Sequence, residues 1–354
     1  MSKIAILTDT HFGARSDSLI FNEFFYEFYE NQFFPYVKSH PEITTFLHMG
    51  DCLDRRKYIN YKIAKDFRER FIRGLDELNI PCHFIVGNHD IYYKNTLEVN
   101  CYNELTLPER SGVYTEPTIV SIDGYDMAFI PWLTEENDYK FYDLVSDPGV
   151  QVAFGHLEVS GFEMHSGILS QTGISKTIFN KFEMVMSGHF HKRSTDGHIY
   201  YLGCPYQMSW ADANDIKGFH TFDTTTRELE FIPNKKNIFE KIHYNDKTTN
   251  YKDVEVSKYH QKFVKVFVEN RDDYYAFDKF LDRLYNDISV HDLKVIEDFS
   301  DLSVDFVSDD IVKESQDTLS LLDRYVDDIP TDLDKERIKT KLKSLYIEAG
   351  DIEL

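Results

Sequence analysis

Five short segments of the chain carry the residue types of a metal centre: Asp9-Thr10-His11, Gly50-Asp51-Cys52-Leu53-Asp54, Gly87-Asn88-His89-Asp90, Gly155-His156 and Gly188-His189-Phe190-His191. They offer carboxylate and amide oxygens and imidazole nitrogens rather than paired thiolates, a mixture that suits Mn, Fe or Zn better than a soft metal or an all-oxygen calcium site. Seven or eight such groups are too many for one ion. Two ions sharing a carboxylate would use them all, and ion pairs ~3.5–4 Å apart are a common device for in-line attack on phosphate esters by a water whose pKa is lowered to ~7. The residues therefore predict a binuclear metallohydrolase. In an extended segment residues i and i+2 face the same way, so Asp9 with His11, and His189 with His191, each aim two side chains at one place. A lone His48, His83 or His220 reads instead as a hydrogen-bonded structural residue. It is the series of five, in this order, that points to a site.

Each segment follows a short apolar run, at residues 4–7, 45–47 and 83–86 for the first three, and these runs read as buried strands. Helical periodicity over 19–37 and 61–78 separates them, which is an α/β pattern. Ligands in such sheets bind beyond the carboxyl ends of strands, so all five loops can converge on one cleft. The glycines allow tight turns or close approach of the backbone to a ligand, and their spacing fits neither a P-loop nor GxGxxG. Further strands are expected at 118–122, 127–130, 150–154, 184–186, 199–202, 219–222 and 228–232, with a helix at 136–145. The fold class is thus α/β, a β-sandwich core flanked by helices. After residue 233 a strand (262–268), a helix (272–285) and a strand (293–296) predict a small α+β unit. Two helical patterns then follow at 308–326 and 331–349, where Thr331 and Asp334 echo a capping box. The expected domains are 1–235, 236–300 and 301–354.

With 354 residues, 42% hydrophobic and 15% aromatic, the chain has the composition of a folded protein. No apolar run approaches the ~20 residues that span a bilayer, and Met1-Ser2-Lys3 leads straight into a strand, so a soluble, cytosolic protein is expected. Cys52, Cys82, Cys101 and Cys204 form no CxxC pair and read as reduced core residues. The net charge of −22 opposes nucleic-acid binding by charge alone. Half of it lies in residues 297–334, where 13 acidic side chains face only Lys313 and Arg324. Basic residues recur beside the five loops: Arg15, Arg55, Arg56, Lys57, Lys62, Lys192 and Arg193. Singly each reads as solvated surface; together they can line a phosphate-binding cleft.

The motifs D-x-H, G-D-x-x-D, G-N-H-D, G-H and G-H-x-H in series resemble the calcineurin-like metallophosphoesterases over residues 1–232. That superfamily includes nucleases, protein phosphatases, nucleotidases and cyclic-nucleotide phosphodiesterases. Gly87-Asn88-His89-Asp90, where the protein phosphatases have G-N-H-E, points to the nuclease branch. Residues 50–55 come near the phosphatase pattern G-D-x-x-D-R-G, but Arg56 stands in place of its last glycine. Residues 85–90, 130–132 with 135–137, 155–162 and 187–191 extend the resemblance to the SbcD-type nuclease subunits of DNA repair, including those of T-even-type bacteriophages.

The resemblance implies that Asp9, His11 and His191 hold one metal, that Asn88, His156 and His189 hold the other, and that Asp51 bridges them. His89 would be the acid that protonates the leaving oxygen or steadies the phosphoryl charge. Asp54 stands where some members have a second histidine, and would orient His89 or a metal ligand from behind. The resemblance further implies two Mn²⁺ ions, with Mg²⁺, Fe²⁺ or Zn²⁺ possible, and a 3′-to-5′ exonuclease on duplex DNA that is also an endonuclease on single strands. It implies a capping domain, C-terminal helices docking on an SMC-like ATPase, a homodimer, and a cytoplasmic location, that of a host cell if phage-encoded. Candidate DNA contacts are Arg15, Arg55, Arg56, Lys57, Lys192 and Arg193. Tyr58, Ile59, Tyr61, Ile63, Phe67, Phe71 and Ile72 crowd one stretch and suggest the dimer face, with packing on the sheet as the alternative. A phosphatase or phosphodiesterase of the same superfamily is the second reading of function. A non-catalytic scaffold is the third, disfavoured because a purely structural site has no use for His89.

Overall fold

The computed structural model describes residues 2–147, 149–165, 168–170 and 173–297, with Val326, Lys335, Ile338 and Lys339 beyond them. The chain divides into two compact units, the first built from Met1–Met208, Asp212–Glu240 and Gln261–Phe263. Two six-stranded sheets form it. One has the order Leu229–Pro233, Gly218–Asp223, Lys3–Leu7, Ile43–His48, Cys82–Ile85, Ser111–Tyr114. Its last four strands are mutually parallel, while the first two run antiparallel to their neighbours. The other has the order Ser194–Thr195, Ile199–Tyr201, Met184–Gly188, Val152–His156, Tyr125–Ile130, Thr118–Ile122, again parallel in its four central strands.

Period-two alternation sends Ile4, Ile6, Val152 and Phe154 into the seam between the sheets, where they meet Leu47, Ile85, Phe129 and Met186. Ala153 and Val185 face the other side of the second sheet and pack with Phe141 and Leu144 of the helix Asp138–Ser146. Both faces of these strands are therefore covered, which is why their sequences read as unbroken apolar runs. This is the expected sandwich flanked by helices. The edge strands Ser111–Tyr114 and Ser194–Thr195 were not expected, being short and largely half-exposed.

The helical stretch 19–39 contains a wide π-type turn, Tyr29–Phe33, just before Pro35, which lacks an N–H and cannot continue a regular ladder. A second such turn, Phe67–Ile72, interrupts the helix running from Tyr61 to Leu78. Between the two helices Tyr29 and Phe71 rings stand 4.9 Å apart and Phe12 and Phe71 5.0 Å. For most of this stretch the packing alternative holds. Ile63, Phe67, Phe71 and Ile72 are buried inside the unit, leaving Tyr58 and the 93% exposed Tyr61 on the surface. The stretch carries more apolar surface than one stripe needs because it packs both on the sheet, through Phe46, and on the neighbouring helix.

The second unit holds most of a three-stranded sheet, Phe239–Asn245, Phe263–Asn270, Asp292–Ile296, whose first two strands begin in the first unit, and the helix Tyr274–Asp282. Asp273 caps that helix by accepting from the Ala276 N–H at 2.9 Å. Tyr244, Val266, Phe277, Phe280 and Leu284 form its core. The strand Phe239–Asn245 was not expected, since Glu240 and Lys241 interrupt its apolar pattern. The C-terminal helical patterns fall almost wholly outside the described residues, of which the four beyond residue 297 have helical backbone.

Candidate metal centre

The parallel strands put five loops at one edge of the sandwich. Lys3–Leu7 leads to Asp9 and His11, Ile43–His48 to Asp51, and Cys82–Ile85 to Asn88 and His89, while Val152–His156 ends in His156 and Met184–Gly188 delivers His189 and His191. Asp9, His11, Asp51 and His189 all have positive φ, at 52°, 41°, 55° and 85°. Non-glycine residues there cost of order 1–3 kcal/mol each and persist only where the surroundings over-determine them. Here the first two loops pair with each other: Asp9 N–H donates to Gly50 O at 3.0 Å, His11 N–H to Asp51 O at 3.1 Å, and Phe12 N–H to Cys52 O at 2.8 Å. Gly50 itself has φ 98°, and a Cβ there would stand 2.4 Å from His156 Nδ1. A Cβ on Gly188 would stand 2.0 Å from Thr8 Oγ1. Both glycines are needed for close approach.

Two triads result, Asp9 with His11 and His191, and Asp51 with His156 and His189, their ligand atoms lying within 4.8 Å of one another in each. In the first, His11 Nε2 and His191 Nε2 are 3.0 Å apart, and His191 Nε2 is 4.0 Å from Asp9 Oδ1. In the second, Asn88 Oδ1 stands 2.9 Å from both His156 Nε2 and His189 Nδ1, and Asp51 Oδ2 is 3.2 Å from His156 Nε2. The same Asp51 Oδ2 is 3.8 Å from His11 Nε2, so this carboxylate faces both triads. His156 donates through Nδ1 to Met49 O at 2.8 Å, which leaves Nε2 as the ligating nitrogen. Thr8 Oγ1 donates to Asp9 Oδ2 at 2.7 Å and orients it.

Burial works against Asp51's charge, but His156, His89 and His11 more than offset it and hold the carboxyl well below its usual range. Burial dominates at Asp9 and raises it, although His156 and His191 pull the other way. His156 is lifted to about 9: burial disfavours its cation, and Asp51, helped by Asp9, outweighs that. His89 is likewise raised against its burial by Asp51 and by its bond to Asp54.

Seven of the expected residues thus converge, and His89 joins them with its ring 4.8 Å from that of His11. Asp54 orients His89 through its main chain, its carbonyl accepting from His89 Nδ1 at 2.7 Å, while its carboxylate lies 3.7 Å from His11 Nδ1. The basic residues engage different partners. Arg56 is half-buried beside Asp51, Arg55 lies 3.5 Å from Asp17, Lys57 sits over the Tyr92 ring, Arg15 over Phe21, and Arg193 stacks 3.6 Å from the Phe231 ring; Lys192 borders His191 in a cavity at the site's edge. His48, read as structural, braces Thr10 Oγ1 at 3.0 Å beneath the site.

Asp90 was missed. Its buried carboxylate accepts the N–H groups of Gly87 (2.8 Å), Asp51 (2.9 Å) and Cys52 (2.8 Å), with Tyr102 Oη donating at 3.3 Å, so it clamps the second loop to the third. Its position after His89 in G-N-H-D was the available signal. Lys217 was also missed, and lies in no motif.

The donor set fits divalent cations. Two buried carboxylates and imidazole nitrogens are crowded at separations where lone pairs repel one another unless a proton or a cation lies among them. The sequence profile of the calcineurin-like phosphoesterases matches residues 2–193, a span that includes every one of these ligand candidates. The chain is 35% identical over 314 residues to exonuclease subunit 1 of Enterobacteria phage T4, covering 87% of this chain and 88% of that protein. It is 24% identical over 221 residues to an SbcCD nuclease subunit of Staphylococcus saprophyticus, covering 52% and 57%. A solved archaeal phosphodiesterase aligns over 65% of this chain and 99% of its own at 16% identity, with a TM-score of 0.32, too weak a superposition to bear on the fold. A sandwich whose strand ends gather oxygen and imidazole ligands, and a profile that runs through all of them, have one conclusion: the chain belongs to the calcineurin-like phosphoesterase family and is a metal-dependent phosphodiester hydrolase.

Proposed function

We propose that this chain is the nuclease subunit of a DNA recombination and repair complex, hydrolysing DNA phosphodiester bonds with two divalent ions, Mn²⁺ first among them. The observation that carries the reading is Asp51, whose one carboxylate oxygen faces His156 at 3.2 Å and His11 at 3.8 Å and so stands between two triads. Asp9, His11 and His191 would hold one ion, Asn88, His156 and His189 the other, and Asp51 both. The ions would supply Lewis-acid charge to the phosphate oxygens and acidify a water for in-line attack. The chain's own part is to fix that geometry and to move a proton. With Nδ1 donating to Asp54 O, His89 carries its transferable proton on Nε2, and Asp51 favours its charged form, the state a general acid needs.

The names of the two relatives, an exonuclease subunit and a nuclease subunit, support DNA as substrate and a multi-subunit setting. In this reading the chain is an exonuclease on duplex DNA and an endonuclease on single strands, working in the cytoplasm as a homodimer. Residues 236–300 cap the nuclease domain, and 301–354 dock an SMC-like ATPase. No helix among the described residues is long and apolar enough to cross a membrane.

The experiment is release of nucleotides from end-labelled duplex DNA by the purified chain with Mn²⁺, with and without the ATPase, beside a phosphate monoester. Metal-dependent DNA cutting is expected. Hydrolysis of the monoester alone would move the chain to a phosphatase.

A further inference from the structure

Lys217 begins where no motif lies, one residue before the strand Gly218–Asp223, the antiparallel neighbour of the strand that delivers Asp9 and His11. It is only 5% exposed. An ammonium has three donors and no acceptor, and burying one is costly unless good geometry offsets the desolvation. Lys217 meets three oxygens. Asp212 Oδ1 is 2.5 Å away, Asp215 Oδ2 3.5 Å, and the third is the main-chain carbonyl of His191 at 2.9 Å. The two carboxylates neutralise its charge, and the His191 carbonyl takes the remaining donor, so the same bond that satisfies the ammonium also fixes the His191 main chain.

The anchor itself is held. Asp212 Oδ2 accepts the Met208 N–H at 3.0 Å, and the Asp212 carbonyl accepts from Gln207 Nε2 at 2.9 Å. Gln207 Oε1 in turn accepts the N–H groups of Ile238 and Phe239, each at 3.0 Å. The Cys204 N–H reaches the same His191 carbonyl at 3.2 Å. His191 is the partly exposed member of its triad, on a loop beyond the strand end, so its aim depends on such main-chain bonds.

We propose that Lys217 is a positioning residue of the metal centre, its ammonium, fixed by Asp212 and Asp215, holding the His191 main chain so that the imidazole is aimed at Asp9 and His11. This rests on His191 being a ligand, as read above. The test is Mn²⁺ binding to the full chain by titration calorimetry and electron paramagnetic resonance, with thermal melting alongside. The variants are K217M, the double variant D212N/K217M, which removes the buried charges together, and H191A. The expected result is a folded double variant in which one Mn²⁺ binds as in the parent chain and the other ~10–100-fold more weakly, the usual cost of losing an outer partner of a ligand. H191A should weaken the same ion. If H191A leaves both ions unchanged, the ligand assignment falls and the proposal with it. If H191A loses one ion while both Lys217 variants bind two with parent affinities, the ligand stands and the proposal is overturned. Loss of fold in both Lys217 variants would also overturn it, by making the ion pair an element of stability alone.

Discussion

The two triads are built from the same residue types but braced differently. Around Asp51 the bracing is polar and comes from the ligand loops themselves: Asp90 ties its amide, Met49 O orients His156, and Asn88 Oδ1 faces both imidazoles. Around Asp9 part of the bracing comes from outside the five loops, since the His191 main chain is held by Lys217, which is itself anchored on Asp212. The first arrangement is made among the ligand loops, so brace and ligand come together. The second depends on the strand Gly218–Asp223, the neighbour of the one that delivers Asp9, being in place. The Asp51 triad should therefore tolerate distant changes, and the Asp9 triad should not.

Asp51→Ala removes what the triads share, and its effect should be the largest. Both ions should be lost together, with hydrolysis falling to background. Metal analysis of the dialysed variant checks this, and one fully retained ion would separate the triads and refute the bridge. His89→Asn should come next. Both ions and the melting temperature should stay near parent values while DNA cutting drops ~10²–10⁴-fold, the usual share of a positioned acid. Equal loss of bound metal would make His89 a ligand or a brace instead.

Such contrasts mirror what was legible in the sequence. The ligand candidates could be found because each sits at the end of an apolar run, and strand ends in a parallel sheet share an edge whatever their separation in the chain. The α/β sandwich and its flanking helices followed from the same runs. Asp90 was inside a recognised motif, yet its role lies in amides of a loop 35 to 40 residues earlier, which no spacing rule reports. Lys217 was invisible, because a lysine between Ile216 and Gly218 reads as surface until the fold places Asp212, Asp215 and His191 around it. The crowded aromatics of residues 58–72 misled for a related reason: a helix with two buried faces looks from sequence like one with a face to spare.

Asp90→Asn tests bracing by the ligand loops directly, as Lys217 tests bracing from outside them. The amide keeps the shape but can accept with only one oxygen, so some of the N–H groups of Gly87, Asp51 and Cys52 lose their partner. The ion in the Asp51 triad should weaken ~10–100-fold and the other less, the reverse of the Lys217 pattern. Mn²⁺ titration of both variants side by side decides it, and an identical pattern in the two would dissolve the distinction drawn here.

The last contrast is in pH. His156 has its proton held up to about 9, Asp51 outweighing burial. A group raised above its unfolded value stabilises the fold fully below that value, ~6.5 for histidine, and the contribution is lost as pH rises through about 9. Metal must displace this proton, since only the neutral imidazole ligates. Affinity at the Asp51 triad should therefore climb by up to ~10-fold per pH unit below about 9 and then level off, with His156 releasing close to one proton per ion well below that value. Calorimetry in buffers of different ionisation enthalpy counts the proton. Replacing Asp51 would confound the count, so the control is Asp90→Asn, which keeps the Asp51 carboxylate beside His156 and should still release the proton while binding more weakly. Binding at that triad with no proton released near pH 7 would mean that His156 is already neutral, and that Asp51's charge is balanced by His89 and His11 instead.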